Sequence, residues 1–387
     1  MGAGLAAIAG LAQPAVRRPA PFATLLLALL IGAACGGGLV PLADVEPSTL
    51  DLASLPPIEL PRDEAPHRNL TEWWYFTGHL QDDAGRAYGF EFVIFQSSRM
   101  NAPLGYAAHF ALTDKSAETF RFDQRTAIRG AFEGGPALNL CVGGWTLSRE
   151  DGAFLIAADM PGGALELVLR PRKPAVLQHQ DGMLDFRPYG WSYYYSYTRL
   201  AVEGRLRIDE HDLQVSGGAW MDHQWGDFVT LVAAGWDWFS VQLDDGRDLM
   251  VTLIRGEQGA LTEAYGTLVD VDGRARHLTA DDFELDATGS WTSPASGATY
   301  PSGWRLRVPQ AGLDLSLRPV MRAQELDARA SAGLFYWEGA VEVQSSGAVV
   351  GRGYTELTGY AGGAVPPDGG RLGAANSDDA ACPATDG

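Results

Sequence analysis

The stretch Gly217-Gly218-Ala219-Trp220-Met221-Asp222-His223-Gln224-Trp225-Gly226 decides the fold of this chain. Read as an extended strand, it sends successive side chains to opposite faces. The two faces are Trp220, Asp222 and Gln224 on one side and Met221, His223 and Trp225 on the other. Each face carries an indole beside a polar group, which is typical of a half-apolar pocket with a few placed polar groups. The alternative is a tryptophan-rich strand whose Asp and His bond to neighbouring turns.

The composition is that of a globular protein with an acidic surface. The chain has 387 residues, 46% of them hydrophobic, and a formal net charge of −19. That length suits two ordinary domains or one large one. Because nucleic-acid binding needs a basic patch, the charge argues against nucleic acid as a partner. It also disfavours adsorption to anionic lipid, and we expect it to serve solubility.

The N-terminus has the pattern of an export signal. Arg17 and Arg18 precede the apolar run 22–31, and small residues then lead to Cys35. The run is too short to span a bilayer. Two interpretations remain open, a lipoprotein signal with Cys35 as the lipidated residue and a plain signal peptide cut near Ala34. We therefore expect residues 1–34 to be a signal peptide. The protein would be a cell-envelope lipoprotein or a periplasmic or secreted protein, meeting a membrane only through that anchor.

The segments that flank the folded part have little periodicity. Residues 35–66 are rich in Pro, Leu and Asp and are predicted to be a linker. Residues 362–387 are predicted to be a disordered tail. If Cys35 is lipidated, only Cys141 and Cys382 remain to pair, and we expect no structural disulfide framework. No Cys/His spacing fits zinc and no phosphate or dinucleotide loop occurs, so neither a metal nor a cofactor is predicted.

Between these flanks the signals are those of β-structure. Residues 164–169 and 313–317 alternate apolar and polar side chains, and Asp-Gly turn pairs are frequent. No window shows a long, well-capped helical period, and 323–332 is the best short helix candidate. The fold class predicted is mainly antiparallel β, as a sandwich or barrel.

The chain also repeats itself in order. Residues 72–75 are echoed by 237–239, 112–114 by 268–270, 165–171 by 313–319, and 220–222 by 354–356. Four collinear echoes predict two structurally similar β domains, an N-terminal one over 67–230 and a C-terminal one over 231–361. If each copy has about eight strands, closing it into a barrel removes exposed edges.

The carboxyl groups of Glu72, Asp222 and Asp237 lie among aromatic residues. The repeat matches Glu72 with Asp237 and Asp222 with Glu356. A carboxyl held among indoles has a raised pKa and can act as an acid, and indole faces can stabilise a positive centre. The surrounding indoles are Trp73, Trp74, Trp220, Trp225, Trp236 and Trp238. The alternative, preferred for Glu356, is that such acids bond to turns at strand ends.

A second aromatic cluster is Tyr193-Tyr194-Tyr195-Ser196-Tyr197. As a strand it places Tyr194 on the face opposite the other three tyrosines. Packing is the commoner role for such a run, and His79 and His109 are expected to be structural. No Gly-x-Ser-x-Gly elbow is present, so an α/β-hydrolase has no support.

Eight segments resemble the lipocalin-like family that includes carotenoid 1,2-hydratases and AttH-like secreted proteins. They are EWWYFTGHL, HFALTD, YYYSYTRLAVEG, AWMDHQWG, GWDWFSVQLDDGRDLM, YPSGWRLRVP, YWEGAVEV and GYTELTGY, within residues 68–360. The resemblance implies two tandem lipocalin-like (calycin) antiparallel β-barrels that meet at a cleft. It also implies cofactor-free addition of water to a carbon–carbon double bond. The family's His and Trp match His223 and Trp225, and its Asp matches Asp237.

We expect the protein to bind an apolar, unsaturated, isoprenoid- or lipid-like molecule and to hydrate or isomerise it as a hydro-lyase. Asp222 or Asp237 would protonate the double bond, and His223 would orient or deprotonate the water. The ligand-binding residues would be Glu72, Trp73, Trp74, Tyr194, Trp220, Gln224, Trp225, Trp236 and Trp238. Asp222 and Asp237 are expected to face one cavity. The alternatives are a non-catalytic lipid carrier of the cell envelope and an envelope scaffold protein without a deep pocket.

Overall fold

The computed structural model describes residues 51–98, 104–129, 137–186, 190–228, 235–256 and 259–361, together with Cys382. Its strands pair antiparallel throughout these residues, which confirms the predicted mainly-β class. Short 3-10 helices occur at Leu52–Ser54, Arg62–Glu64 and Pro309–Ala311. The expected signal peptide with Cys35, and the tail apart from Cys382, lie outside the described residues.

The first sheet is formed by strands between residues 71 and 228. These are β1 (Thr71–Asp82), β2 (Ala87–Ser97), β3 (Leu104–Asp114), β4 (Thr119–Arg129), β5 (Asn139–Val142), β6 (Trp145–Glu150), β7 (Ala153–Met160), β8 (Gly163–Pro171), β9 (Val176–Leu177), β10 (Met183–Asp185), β11 (Gly190–Ile208) and β12 (His211–Phe228). Their order is β4-β3-β2-β1-β12-β11-β8-β7-β6-β5, with β9 and β10 beside β11. Arg125 of β4 stacks on Trp145 of β6 at 5.0 Å, so the two ends of the sheet approach each other and nearly close it.

The second sheet follows from residue 235 onward. The strands here are β13 (Gly235–Leu243), β14 (Asp248–Arg255), β15 (Leu261–Val269), β16 (Ala275–Thr279), β17 (Glu284–Ala287), β18 (Ser290–Thr292), β19 (Thr299–Pro301), β20 (Trp304–Val308), β21 (Leu313–Pro319), β22 (Glu325–Asp327), β23 (Phe335–Ser345) and β24 (Ala348–Leu357). The order is β16-β15-β14-β13-β24-β23-β21-β20-β17, with β22 beside β23. Strands β18 and β19 form a separate two-stranded ribbon.

The second sheet repeats the neighbour order of the first. Strands β13 to β16 succeed one another as β1 to β4 do, and β24-β23-β21-β20 succeed one another as β12-β11-β8-β7 do. This is the order expected from the collinear sequence echoes. The domain boundaries assigned from those echoes stay a prediction.

Three large apolar clusters and a smaller fourth one hold the two sheets. The first and second sheets each enclose their own core, and a third cluster lies between the sheets. Large members of the three clusters are Trp74, Phe92, Trp145 and Met221 in the first, Phe239, Trp304 and Trp337 in the second, and Tyr75, Trp220, Trp238 and Met250 in the third. Full burial of such a side chain contributes about 1.5–3 kcal/mol, so the inter-sheet cluster couples the two sheets.

An ion-pair network also joins the sheets. The buried Asp248 of β14 accepts hydrogen bonds from Lys173 Nζ at 2.7 Å and from Arg199 Nη2 at 2.6 Å. Both cations belong to the first half of the chain, Lys173 after β8 and Arg199 in β11. Lys173 Nζ also donates to the carbonyl oxygens of Gly246 and Asp270, at 2.6 and 2.8 Å.

Residues 51–66 pack against the first core, although we expected them to be part of a linker. Leu52, Leu55, Ile58 and Leu60 lie on that core. Glu64 is buried, where Tyr197 Oη donates to it at 2.8 Å and Arg149 Nε at 3.0 Å. The apolar residues of this segment have no period because they pack on the core one at a time and not as one face of a helix or strand.

Two further expectations are corrected. Cys141 and Cys382 form a disulfide with a Cα–Cα distance of 5.9 Å, across 241 residues of sequence. Residues 323–332 contain strand β22 rather than a helix, because the backbone of residues 325–327 pairs with β23. Within the described part of the chain, no helix has the length and apolarity needed to cross a membrane.

Candidate functional site

Strand β12 carries different chemistry on its two faces, as its alternation predicts. Trp220 belongs to the cluster between the sheets, whereas Met221 and Trp225 belong to the first core. Asp222 therefore faces the second sheet and His223 faces the interior of the first. Tyr194 of β11 likewise faces the second sheet, while Tyr193, Tyr195 and Tyr197 lie in the first core.

Asp222 is a buried acid held by donors from two strands. Its Oδ1 accepts from Trp220 Nε1 at 2.6 Å and from Ser196 Oγ, and its Oδ2 accepts from Tyr194 Oη at 2.6 Å. Trp238 of the second sheet donates to Tyr194 Oη at 3.2 Å. The Asp222 residue is only 3% exposed. Burial raises the pKa of Asp222 to about 6, although the three donors act to lower it.

Sequence reasoning missed two acids of the same layer and assigned a third to a turn. Glu356 accepts from Trp236 Nε1 at 3.0 Å, and Glu338 accepts from Tyr75 Oη at 2.8 Å. Glu91 lies on β2 opposite Thr77 of β1. Glu91 and Glu338 are fully buried, and Glu356 is partly buried. The available signal was a single glutamate inside an apolar strand run, in GFEFVIF and in YWEGAV.

These acids resist ionisation. Burial raises the pKa of Glu356 to about 7, with a smaller contribution from the charge of Asp222. Burial and then the charge of Glu356 raise the pKa of Glu91 to about 8. Burial and then the charges of Glu356 and Glu91 raise the pKa of Glu338 well above its usual range. Close carboxyl groups in an apolar layer cannot all ionise, so several hold protons near neutral pH.

A chain of hydrogen bonds leads from Glu91 through His109. The Gln124 amide nitrogen donates to a backbone carbonyl, so its oxygen accepts from Ser331 Oγ at 2.6 Å. Ser331 then accepts from His109 Nε2 at 2.8 Å, and His109 Nδ1 accepts from Tyr336 Oη at 2.7 Å. Burial lowers the pKa of His109 to about 3, so the ring is neutral. Tyr336 Oη and Glu91 Oε1 are 3.2 Å apart, and in this arrangement Glu91 supplies the proton between them.

The layer around these acids is aromatic. Trp238 lies edge-on to Tyr75 at 5.3 Å and to Trp220 at 6.1 Å between ring centroids. Trp73 and Trp236 lie at its margin and are partly buried. Gln224 donates to Ser192 Oγ at 2.8 Å on the same face as Asp222. The arrangement places carboxyl groups, several of them protonated, within an apolar, π-rich layer, where an acid can protonate a substrate and indoles can stabilise a cation.

The other face of β12 places His223 against Glu72. His223 Nε2 donates to Glu72 Oε1 at 2.8 Å, and Tyr195 Oη donates to Nδ1 at 3.1 Å. His67 donates to the same oxygen from Nδ1 at 2.7 Å. Burial lowers the pKa of His223 to about 4, against the effect of Glu72. Burial alone would raise the pKa of Glu72, but the bonds and charges of His223 and His67 lower it, so it is a carboxylate.

Aromatic rings enclose this second cluster. His223 stacks on Trp74 with ring centroids 4.8 Å apart, and His67 stacks on Trp225 at 4.3 Å. Trp74 and Trp225 therefore pack in the first core beside His223 and do not line the layer between the sheets. The predicted grouping of His223, Trp74 and Trp225 with Asp222 around one ligand is not the arrangement that the structure has.

Replacing His223 with Gln is expected to lower the free energy of unfolding by about 1–3 kcal/mol. Both ring nitrogens are hydrogen-bonded and the ring is fully buried, so the change leaves partners unpaired. Urea titration should show the loss, with His211→Gln at an exposed position of the same strand as the control. An unchanged midpoint in both variants would instead mean that the His223 ring adds nothing to stability.

Asp237 does not share a cavity with Asp222. It is adjacent to Trp238 on β13 and so points to the opposite face, away from the layer between the sheets. There it pairs with Arg255 and accepts from Tyr360 Oη at 2.9 and 3.0 Å. Burial raises the pKa of Asp237, and the charge of Arg255 opposes that rise. The expectation of a shared Asp222–Asp237 site is therefore wrong, because the two acids belong to different faces.

The chain resembles proteins of known structure over most of its length. The AttH-like family model matches residues 52–360. The crystal structure of an AttH protein from Nitrosomonas europaea is 35% identical, covers 79% of this chain and 98% of that chain, and superposes with a TM-score of 0.72. Kievitone hydratase from Nectria haematococca shares the fold at 16% identity and a TM-score of 0.61, covering 79% of this chain and 94% of that chain.

No curated protein matches the chain. The family model alone spans most of the sequence, and the identity to the Nitrosomonas europaea protein extends over nearly all of that protein. The resemblance noted from the sequence segments is confirmed. The chain belongs to the AttH-like family.

Proposed function

We propose that this protein binds an apolar, unsaturated, isoprenoid- or lipid-like molecule against the layer between its sheets and hydrates or isomerises a carbon–carbon double bond. The chemistry is acid–base and uses no cofactor. The observation that carries the proposal is the set of buried acids in an aromatic layer, with the pKa of Asp222 near 6 and that of Glu356 near 7. The hydratase named among the structural neighbours has the same fold, which is compatible with this chemistry.

The reaction proposed begins at Asp222. Its carboxylic acid transfers a proton to one alkene carbon, which leaves a carbocation and the Asp222 carboxylate. Trp220 and Trp238 lie beside that carboxyl and stabilise the positive charge. A water molecule bonds to the cation and releases a proton, which restores the acid. The net change is the addition of one water, and loss of a neighbouring proton instead gives the isomer.

Three features of the protein's organisation belong to the same proposal. Each sheet is taken as a lipocalin-like barrel, which the shared strand order and the near closure of the first sheet support. The protein is taken to be exported, with Cys35 as the lipid anchor or with simple cleavage near Ala34. The Cys141–Cys382 disulfide supports export, since disulfides persist in oxidising compartments.

The test is to purify the protein, identify co-purifying molecules by native mass spectrometry, and incubate it with those molecules and with an acyclic isoprenoid in ¹⁸O-labelled water. Incorporation of the label into the product supports hydration, and a shifted double bond without label supports isomerisation. Tight binding with no change in the ligand would contradict the proposal and favour a carrier.

Asp222→Asn is expected to lower turnover by about a hundredfold, because the amide cannot donate the proton. Ligand binding, followed by tryptophan fluorescence, should stay within a few-fold of the wild type. Asp212→Asn, an exposed position on the same strand, is the matched control and should retain full turnover. Wild-type turnover in Asp222→Asn would exclude Asp222 as the proton donor.

A further inference from the structure

We propose that His67, Glu72 and His223 form a binding site for a divalent transition-metal ion of the Zn²⁺ or Fe²⁺ class. The site lies inside the first sheet, on the opposite face of β12 from Asp222. It does not rest on the function proposed for the layer between the sheets. Two imidazoles and one carboxylate are the donor set that such ions take in proteins.

The donor atoms are already gathered. Glu72 Oε1 lies 2.7 Å from His67 Nδ1 and 2.8 Å from His223 Nε2, and the ligand atoms of all three residues lie within 4.8 Å of one another. An ion about 2.0–2.2 Å from each ligand would separate them by roughly 3.4 Å in tetrahedral geometry. The two histidine nitrogens would have to move slightly away from Glu72 Oε1 and towards each other. Each of these distances would change by less than about 1.5 Å. Nowhere else in the described ranges do three His, Cys, Asp or Glu residues gather in this way.

Outer contacts orient the ligands as metal sites require. Tyr195 Oη holds His223 Nδ1 at 3.1 Å, so the ring can present Nε2 to the ion. Gln96 Nε2 and the backbone nitrogen of His67 hold the second oxygen of Glu72, at 3.1 and 2.7 Å. A carboxylate oxygen of Asp63 lies 3.8 Å from His67 Nε2, behind the third ligand. Partners of this kind fix ring orientation and ligand basicity in metal sites.

The ion has a path to the site through His67. The His67 side chain is 21% exposed, whereas those of Glu72 and His223 are fully buried. The ion would take the place of the proton on each ligating nitrogen, and each ring would stay neutral by carrying its proton on the other nitrogen. For His223 that nitrogen is Nδ1, which would then donate to Tyr195 Oη, and for His67 it is Nε2, which faces Asp63. Three protein ligands would leave one coordination position for water.

The experiment is titration of the metal-stripped full chain with Zn²⁺, followed by isothermal calorimetry and thermal melting. We expect one equivalent to bind and the melting temperature to rise. His67→Phe keeps the stacking on Trp225 but removes the nitrogen, and it should weaken Zn²⁺ binding by about a hundredfold or more. His211→Phe makes the same change at an exposed histidine and should bind Zn²⁺ as the wild type does.

A second measurement uses the unaltered protein, so it does not depend on how a variant folds. Cu²⁺ bound in the wild-type chain should show an electron paramagnetic resonance signal split by two imidazole nitrogens. Tyr195→Phe should weaken Zn²⁺ binding by about ten- to a hundredfold, since Tyr195 only orients His223. Failure of the wild type to bind one equivalent, equal binding in His67→Phe, or a copper signal without two nitrogens would each overturn the proposal. None of these experiments measures turnover. Their outcome is therefore independent of the test of the acids between the sheets.

Discussion

Asp248→Asn is expected to lower the free energy of unfolding by about 3–5 kcal/mol. The Asp248 carboxylate pairs with both Lys173 and Arg199 and is fully buried at the contact between the two sheets. Lys173 is itself buried, so the amide would leave a cation without a counter-charge in an apolar setting. Removing one partner of a buried pair costs more than the pair contributes, because the other charge stays desolvated.

Chemical denaturation and thermal melting would measure this loss, which corresponds to roughly 10 °C in melting temperature for a fold of this size. The matched control is Asp314→Asn, which breaks a surface pair with Arg305 whose side chains are 56% and 48% exposed. That change should cost less than about 1 kcal/mol. Equal losses in the two variants would show that the Lys173–Asp248–Arg199 network does not hold the sheets together.

Glu91→Gln is expected to stabilise the protein at alkaline pH, by roughly 5 kcal/mol at pH 9 before the cost of the buried amide is subtracted. Burial raises the pKa of Glu91 to about 8, from an ordinary 4.5. The folded state therefore binds this proton more tightly than the unfolded state does. The resulting stability is complete below the ordinary pKa and is lost as the pH rises through 8. Glutamine cannot ionise, so it removes the loss, while the unpaired amide costs about 1–3 kcal/mol.

The pH profile separates Glu91 from the buried histidines. Burial lowers the pKa of His79 and His223 to about 4 and that of His109 to about 3, so these three rings add stability only as the pH rises to about 6.5 and contribute no further change above it. Above that pH the wild type should lose about 2 kcal/mol by pH 9 from Glu91 alone. Unfolding measured from pH 5 to 9 should show this fall flattened in Glu91→Gln and unchanged in Glu166→Gln, an exposed position on β8. A wild-type profile that stays level above pH 6.5 would contradict the prediction.

Alternation predicted the faces of the central strands, because side-chain direction in a strand depends only on position. That is why Asp222 and His223 could be assigned to opposite sides of β12 before any contact was known. The same rule applied to β13 separates Asp237 from Trp236 and Trp238. The expectation of one cavity for Asp222 and Asp237 failed because it relied on nearness in sequence.

Register was harder to predict than strand order. The sequence echo aligned Glu72 with Asp237, but the ladders pair Asp222 with Tyr75 and Glu356 with Trp238. Asp222 and Glu356 occupy equivalent positions in the two sheets, so their ladder partners Tyr75 and Trp238 are equivalent as well. Asp237, one residue before Trp238, is therefore equivalent to Trp74 and not to Glu72. Similar aromatic strands match almost as well when shifted by two residues, since that shift keeps the inward face inward.

Clusters of side chains from distant parts of the chain could not be predicted from local sequence patterns. The His67–Glu72–His223 cluster joins the first residue of the predicted N-terminal domain to the first and last long strands of one sheet. Its residues have no spacing that a zinc motif would show, and Glu91 and Glu338 come from different sheets. Such groupings depend on how the first sheet closes and on how the second sheet packs against it. Both are determined by the whole fold and not by any one segment of sequence.

The Cys141–Cys382 bond makes a covalent ring of the chain between the two cysteines, and this ring includes the whole second sheet. A force applied at the chain ends therefore passes from residue 141 to residue 382 through sulfur and bypasses the 241 residues of sequence that separate them. Those residues represent roughly 800 Å of contour length that cannot be drawn out while the bond is intact. The second sheet is mechanically shielded, and a protein tethered by its N-terminus would carry tension only through its first portion. A single backbone cut within the ring would likewise leave both halves joined.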